Sequence, residues 1–180
     1  TWNDDLVDNK KYFKLFIPQY IEGKTIYDED FEDKKMLCLI NSNKIAIGRR
    51  GLYDERKKAA LYFDKNEKEF DLYGHGWNKN QLKLMTILHF GKNITKFDRD
   101  NLLYSIDFIF NIRKICNYGG PTSDPEKTLS RYKFAICYEN QRNDNGYISE
   151  KIFNCFNGGC VPIYLGADNI SEYIPKGTFI

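Results

Sequence analysis

Residues 132–166 read YKFAICYENQRNDNGYISEKIFNCFNGGCVPIYLG, and their pattern decides the fold. Residues 134–138 are an apolar run of strand length, which is typical of a parallel strand buried on both faces. The run at 139–146 is rich in turn-forming residues and too hydrophilic for a core. We therefore predict a strand with a loop at its carboxyl end, where loops of such folds carry function.

A short helix and a second strand complete this unit. Ser149 is a predicted N-cap whose hydroxyl accepts a hydrogen bond from a free amide in the first helical turn. The Asn-Gly-Gly at 157–159 ends the helix. The apolar run at 161–165 is the next buried strand, with Pro162 near its start, where a missing N–H costs least. Strand, helix and strand assemble most simply as a βαβ unit.

Glu150 and Lys151 place an acid and a base in the first turn of this helix. Helix N-termini that follow a parallel strand are where such folds bind phosphate groups. A lysine in a first turn opposes the helix dipole and would be better placed at the other end, so its position indicates a bound anion. The pattern therefore predicts a nucleotide site.

Upstream of this unit, periodicity and turn residues predict further elements of an α/β domain. They are strands at 36–40 and 70–73, a helix from Asp54 to Phe63, a loop at 119–125 and a short helix at 125–131. Residues 101–116 are too uniformly apolar for periodicity to separate helix from strand.

Composition excludes some functions without selecting one. A net charge of +2 over 180 residues gives no field of the size that nucleic-acid binding needs, so no nucleic-acid partner is expected. No apolar run is long enough to span a bilayer. The cysteines contain no C-x2-C pair, so we expect free thiols in apolar surroundings, no zinc site and a reducing compartment. They are Cys38, Cys116, Cys137, Cys155 and Cys160.

Other short motifs suggest different chemistry but lack the right context. The Gly-His-Gly at 74–76 has the spacing of neither a dinucleotide fingerprint nor a P-loop, and we interpret its glycines as turn residues. Acid-x-acid triplets at 28–30 and 98–100 are of a type that holds a divalent metal on nucleotide diphosphates. Neither follows a convincing apolar strand, so no metal site is expected. His75, beside a strand end, is a candidate for lining the site.

The ordered motifs resemble the α-1,3/α-1,4-fucosyltransferases, glycosyltransferase family 10. The family pattern YKF…FEN…Y(I/V)(T/S)EK…(I/V)P(I/V)…G corresponds here to YKFAICYEN, GYISEKIFNCFNGG and VPIYLG, with EYIPKGTFI after it. Tyr138 and Ser149 stand where the family commonly has Phe and Thr, which keeps an aromatic strand end and a hydroxyl cap. Several linked motifs in the right order are more specific than one short pattern. Weaker similarity follows the family's order at residues 34–43, 52–56 and 70–77.

The resemblance implies an α/β fold, namely a Rossmann-like parallel-sheet domain that is the donor-binding half of a GT-B glycosyltransferase. Residues 34–180 would be this donor-binding domain, truncated at its C-terminus. Residues 1–33 would be an interdomain connection or a remnant of the N-terminal acceptor domain. Because the chain starts at Thr1 without Met and stops at Ile180 inside the family pattern, we expect a fragment that is inactive alone. The general base is expected in the acceptor domain, outside this chain.

The activity implied is an inverting transfer of fucose from GDP-fucose to a hydroxyl of an N-acetylglucosamine- or glucose-containing glycan, in α-1,3 or α-1,4 linkage. Departure of GDP leaves charge on the diphosphate, which an enzyme without an essential divalent metal must stabilise with fixed cations. We assign this role to Arg56 and Lys151, with Lys57 as the alternative to Arg56. By resemblance Glu150 accepts from the ribose hydroxyls. Further donor-binding candidates are Asn140, Tyr147 and Glu139.

Two other functions stay open on the sequence. One is a GT-B transferase with a different sugar-nucleotide donor, and the other is a non-catalytic nucleotide- or carbohydrate-binding relative. Segments outside this chain could attach the protein to a membrane, peripherally or by an anchor. The location would be cytoplasmic or membrane-associated in a bacterium and the Golgi lumen in a eukaryote.

Overall fold

The computed structural model describes residues 1–16, 29–44, 51–77, 117–142 and 144–180. Within these residues lies a five-stranded sheet of order β3-β2-β1-β4-β5, in which every neighbouring pair is parallel. The strands are β1 (Lys35–Ile40), β2 (Phe70–Tyr73), β3 (Tyr118–Gly120), β4 (Tyr132–Tyr138) and β5 (Val161–Leu165). The α-helices of the described ranges are α1 (Tyr53–Asn66), α2 (Pro125–Leu129) and α3 (Glu150–Asn157). The predicted α/β class with a parallel sheet is confirmed.

Both faces of the sheet are covered by helices. Successive residues of a strand point to opposite faces, so Leu37 and Leu39 enter one core and Cys38 enters the other. The first core includes Ala59 and Ala60 of α1. The second includes side chains of α2 and α3, such as Ile152. Helix α1 therefore covers one face, and α2 and α3 cover the other.

The order of the strands creates a crevice beside the central strand. The chain leaves β1 for β2 and β3 on one side, then returns to β4 and β5 on the other. At such a switch point the loops after the two central strands part in opposite directions, and ligands of open α/β sheets bind in the gap. The carboxyl ends of β1 and β4 are therefore where a site is expected.

Most predicted elements are present with small shifts of their ends. Helix α1 begins one residue before Asp54, and α2 ends at Leu129 instead of Arg131. The predicted loop at 119–125 is wrong at its start, because Gly119 and Gly120 belong to β3. A side chain at Gly119 would run into the ring of Tyr73, so a residue that usually marks turns is required here for close packing. Residues 98–116 lie outside the described part of the chain.

The backbone of Pro162 faces the outer edge of β5. The backbone oxygen of Pro162 accepts from Ile180 N at 3.0 Å, and Tyr164 N donates to Ile180 O at 2.7 Å. In a parallel strand the N–H and C=O of one residue face the same side. The missing N–H of Pro162 therefore faces away from β4, and no hydrogen bond between β4 and β5 is lost.

The first residues of the chain pack beside the loop that follows β4. Asp4 N donates to Asn145 O at 3.0 Å. The Asp4 carboxylate accepts from Lys14 at 2.5 Å, Asn169 at 2.9 Å and Tyr173 at 2.6 Å. Desolvation opposes ionisation of Asp4, but these hydrogen bonds outweigh it and lower the pKa of the carboxyl. The assignment of residues 1–33 to a connection between domains stays a prediction.

The four described cysteines are buried and free, as expected. Burial raises the pKa of Cys38, and a hydrogen bond with Cys137 together with burial raises that of Cys155. Over the described ranges, no group of three or more His, Cys, Asp or Glu side chains is placed to hold a metal ion. Nor does any described helix have the length and apolar character needed to cross a membrane.

Candidate functional site

A cavity of about 240 Å³ opens at the switch point of the sheet. Its floor is formed by residues of β4, and its walls by the residues that follow β1 and β2 and by the first turn of α3. The polar side chains of the lining belong to Asn41, Ser42, His75, Thr122, Glu150, Lys151 and Asn154. The position agrees with the crevice at which open α/β sheets bind nucleotides.

Lys151 reaches this cavity from the start of α3. Its Nζ donates to Ser149 Oγ at 2.8 Å and to Glu139 Oε2 at 3.2 Å. Glu150 Oε1 lies 3.9 Å from the same nitrogen, which is too far for a hydrogen bond. The Lys151 side chain is 19% exposed and that of Glu150 is 53% exposed. The structure thus brings the predicted acid and base to one cavity wall.

Glu139 lies directly behind Lys151 and is completely buried. Its carboxylate accepts from Ser149 N at 2.7 Å and from Ser149 Oγ at 2.6 Å, besides Lys151. The predicted cap is therefore wrong in its partner, because the Ser149 hydroxyl donates to Glu139 and bonds no amide of the first helical turn. A buried carboxylate needs donors more than a solvent-facing helix amide needs an acceptor. A direct contact of Glu139 with the donor stays a prediction.

Arg56 lies in the first turns of α1, on the opposite face of the sheet. Its guanidinium donates to Tyr138 O at 2.8 Å and to Asn140 Oδ1 at 3.0 Å, and it lies over the ring of Tyr53 at 4.9 Å. Arg56 is only 3% exposed, and its Nε has no hydrogen-bond partner in the described structure. Desolvation lowers the pKa of Arg56, while Tyr53 and Glu139 act to raise it. Arg56 is thus a buried cation at the end of β4.

Arg56 is buried and does not line the cavity, although the sequence assigned it to the charge of the donor diphosphate. That assignment stays a prediction. Lys57, the alternative, is also buried, and its Nζ lies 3.4 Å from Asp54 Oδ1. Burial lowers the pKa of Lys57 against the influence of Asp54. Arg56 and Lys57 are both on the buried side of α1. Helical periodicity in the sequence did not predict this burial.

Asn140 and Tyr147 extend the Arg56 contacts toward the surface. Asn140 Nδ2 donates to the Tyr147 hydroxyl at 3.2 Å, while Asn140 Oδ1 accepts from Arg56. The Tyr147 ring meets the Trp2 ring edge to face at 4.9 Å. Arg56, Asn140 and Tyr147 therefore form one connected set, and Glu139, Ser149 and Lys151 form a second. The loop after β4 supplies residues to both.

Of the cavity residues that follow β1 and β2, only His75 is proposed for the site from the sequence. Asn41 and Ser42 follow β1, and Gly74 and His75 follow β2. Their position directly after predicted strands is the feature that could have indicated them. Gly74 has φ +124°, and a Cβ there would overlap the backbone oxygen of Asn41, so only glycine lets these two loops approach. His75 lies on the cavity wall, where it was expected.

The fold and the cavity together define a class: a Rossmann-like α/β domain with its cleft at the switch point of a parallel sheet. The family model described as Glycosyltransferase family 10 (fucosyltransferase) C-term matches residues 34–180. The chain belongs to this family.

Characterised relatives show local similarity over about a third of the chain. Alpha-(1,3)-fucosyltransferase 4 of Mus musculus is 45% identical over 56 residues, which cover 29% of this chain and 13% of that protein. Alpha-(1,4)-fucosyltransferase of Arabidopsis thaliana is 38% identical over 52 residues, again 29% of this chain and 13% of that protein. The chain thus matches only a small part of the length of these relatives.

Solved structures support the fold over more of the chain. The crystal structure of an alpha1,3-fucosyltransferase with GDP has a TM-score of 0.50 at 17% identity, covering 85% of this chain and 31% of that chain. A second crystal structure of alpha1,3-fucosyltransferase has the same TM-score and identity and is covered to 30%. At this identity the likeness concerns the fold, and it confirms the predicted Rossmann-like domain of GT-B type.

Proposed function

We propose that this chain is the donor-binding part of a fucosyltransferase that uses GDP-fucose. The acceptor would be a hydroxyl of an N-acetylglucosamine- or glucose-containing glycan, and the transfer would invert the anomeric carbon to give an α-1,3 or α-1,4 linkage. The family supplies the reaction class. The observation that carries the proposal is that Lys151 and Glu150 both line a cavity at the switch point of the sheet.

Lys151 provides the chemistry that loss of GDP requires. As the bond between fucose and diphosphate breaks, negative charge grows on the leaving oxygens, and a fixed ammonium nearby stabilises it more in the transition state than in the ground state. Lys151 is largely shielded from water, so its charge is screened less than a surface charge. A solved relative is described with GDP, which agrees with a nucleoside diphosphate in this fold.

Glu150 suits the ribose of the donor. Its carboxylate is more than half exposed at the cavity wall, and ionised carboxylates accept hydrogen bonds from hydroxyl groups. Such contacts change little during transfer, so they would support binding and not the chemical step. Thus the two adjacent side chains would divide binding and catalysis between them.

A second set of residues would support donor binding without lining the cavity. It consists of Arg56, Asn140 and Tyr147. Because Arg56 is buried, we propose that it acts on the donor side through its hydrogen bond to Asn140, which in turn bonds Tyr147. A divalent metal is not required in this scheme, since fixed cations offset the diphosphate charge. The general base that takes the acceptor proton would come from outside this chain.

Turnover by the intact protein tests this proposal. Transfer from radiolabelled GDP-fucose to a panel of N-acetylglucosamine- and glucose-containing acceptors is expected, with retention of activity in chelator. Preference for GDP-mannose or a UDP-sugar would instead identify a related GT-B transferase. Binding of GDP without transfer to any acceptor would favour the non-catalytic relative.

A further inference from the structure

Glu139 is a completely buried carboxylate at the carboxyl end of β4. Its backbone is anchored by a hydrogen bond from Glu139 N to Leu165 O at 2.8 Å. Its two side-chain oxygens take three hydrogen bonds, two from Ser149 and one from Lys151. Burial of a charge is costly unless the charge is paired and hydrogen-bonded, and here both conditions are met.

The surroundings of Glu139 are shaped to hold this side chain. A Cβ at Gly166 would come within 2.6 Å of Glu139 Cγ, so glycine at the end of β5 leaves the space that the side chain occupies. Ser149 lies between Glu139 and Lys151, since its hydroxyl donates to Glu139 and accepts from Lys151. The three side chains therefore form a closed ring of hydrogen bonds behind the cavity wall.

This ring fixes the ammonium group of Lys151. An ammonium has three N–H donors. Glu139 and Ser149 take two of them, and among the described residues the structure gives the third no hydrogen-bond acceptor. Lys151 is thus held on its buried side and open on the side that lines the cavity. A lysine that is immobilised before its ligand arrives loses less conformational freedom on binding.

We propose that Glu139 is a positioning residue, which fixes Lys151 through the ring with Ser149 and does not itself contact the donor. The proposal rests on the function proposed above and replaces the assignment of Glu139 to the donor. It explains why a buried carboxylate lies beside the cation that is to meet a diphosphate. Without a fixed orientation, the flexible stem of Lys151 would let the ammonium collapse onto Glu150 or point to solvent.

A double-mutant cycle on the intact protein tests the proposal. A glutamine at 139 has only one side-chain oxygen. That oxygen cannot accept hydrogen bonds from Ser149 N and also from Ser149 Oγ and Lys151 Nζ, which lie at the second carboxylate oxygen. We expect Glu139→Gln to lower kcat/KM for GDP-fucose by about 10- to 100-fold, as for a misplaced catalytic group. In a Lys151→Met background, the same substitution is expected to change kcat/KM by less than about threefold, because its target is gone.

The matched control is Glu150→Gln, the same change at the neighbouring acidic residue. Glu150 is exposed and lies 3.9 Å from Lys151 without a hydrogen bond, so its effect should depend on Lys151 much less than that of Glu139 does. If Glu139→Gln is as damaging with Met at 151 as with Lys, Glu139 acts on the donor directly and the proposal is wrong. Should Glu139→Gln fail to fold, Ser149→Ala opens the same ring and must show the same dependence on Lys151.

A readout without donor separates this inference from the proposed function. Labelling of the Lys151 amine by a mild acylating reagent, followed by mass spectrometry, is expected to be several-fold faster in Glu139→Gln than in the wild type. An unchanged labelling rate overturns the positioning role, whether or not the protein uses GDP-fucose. Faster labelling in a protein that does not bind GDP would support the positioning role and reject the proposed donor.

Discussion

Replacement of Arg56 by methionine tests whether this residue is a buried structural cation or a cation that faces a ligand. Arg56→Met keeps much of the aliphatic stem and removes the two hydrogen bonds to Tyr138 O and Asn140 Oδ1. Each acceptor that loses its donor costs about 1–3 kcal/mol, so two acceptors cost roughly 2–6 kcal/mol. Relief of the buried, unpartnered Nε offsets about 1–3 kcal/mol of this. We expect a net loss of about 2 kcal/mol in the free energy of unfolding.

Urea denaturation of the intact protein measures this loss. The control is Lys58→Met in the same helix, where the side chain is 56% exposed and pairs with Glu55 at 2.9 Å. Exposed pairs of this kind are worth little, so the control should change the free energy of unfolding by less than about 0.5 kcal/mol. If Arg56→Met is no less stable than Lys58→Met, Arg56 is not held as the structure shows, and a ligand-facing role regains support.

Three further predictions concern the cavity and its supports. Lys151→Met should mainly lower kcat, with a loss of about 2–4 kcal/mol in transition-state stabilisation. Glu150→Gln should mainly raise the KM for GDP-fucose. If steady-state kinetics show the reverse pattern, the roles assigned to the two residues must be exchanged. Gly74→Ala should lower the melting temperature and weaken donor binding, because a Cβ there overlaps Asn41 O; an unaltered melting curve would contradict the close approach of the two loops. The lowered pKa of Asp4 means that its ionised form stabilises the fold above the ordinary value of 3.8 and that this stability is lost as pH falls through the lower, folded value. The melting temperatures of wild type and Asp4→Asn should therefore differ at neutral pH and converge in acid, and a gap that does not narrow would contradict the assigned pairing.

The sheet and its helices follow from the sequence where apolar runs are long and ended by turn residues. The stretch at 134–138 reads as a buried strand because no polar residue interrupts it, and β4 includes it. The assignment of Gly119 and Gly120 to a strand could not be predicted from the sequence. The role of Gly119 depends on the ring of Tyr73, which packs against it in the sheet. A local pattern cannot show a contact that only the folded sheet creates.

In the candidate site, too, some features could be predicted from the sequence and others could not. Glu150 and Lys151 are predictable, since their place in a first helical turn after a parallel strand is a local feature. The burial of Arg56 and the acceptor of Ser149 are not, because both depend on which side chains β4 brings beside them. The charges could be located from the sequence, but their partners required the structure.

Calorimetric titration of the intact protein with GDP, with and without a chelator, tests the central claim most directly. We expect saturable binding that is unchanged by the chelator and strongly weakened in Lys151→Met, while Lys58→Met binds as the wild type. Absence of GDP binding, or equal binding in Lys151→Met, would contradict the assignment of this cavity to the donor diphosphate. Binding that disappears with the chelator would contradict the metal-independent scheme.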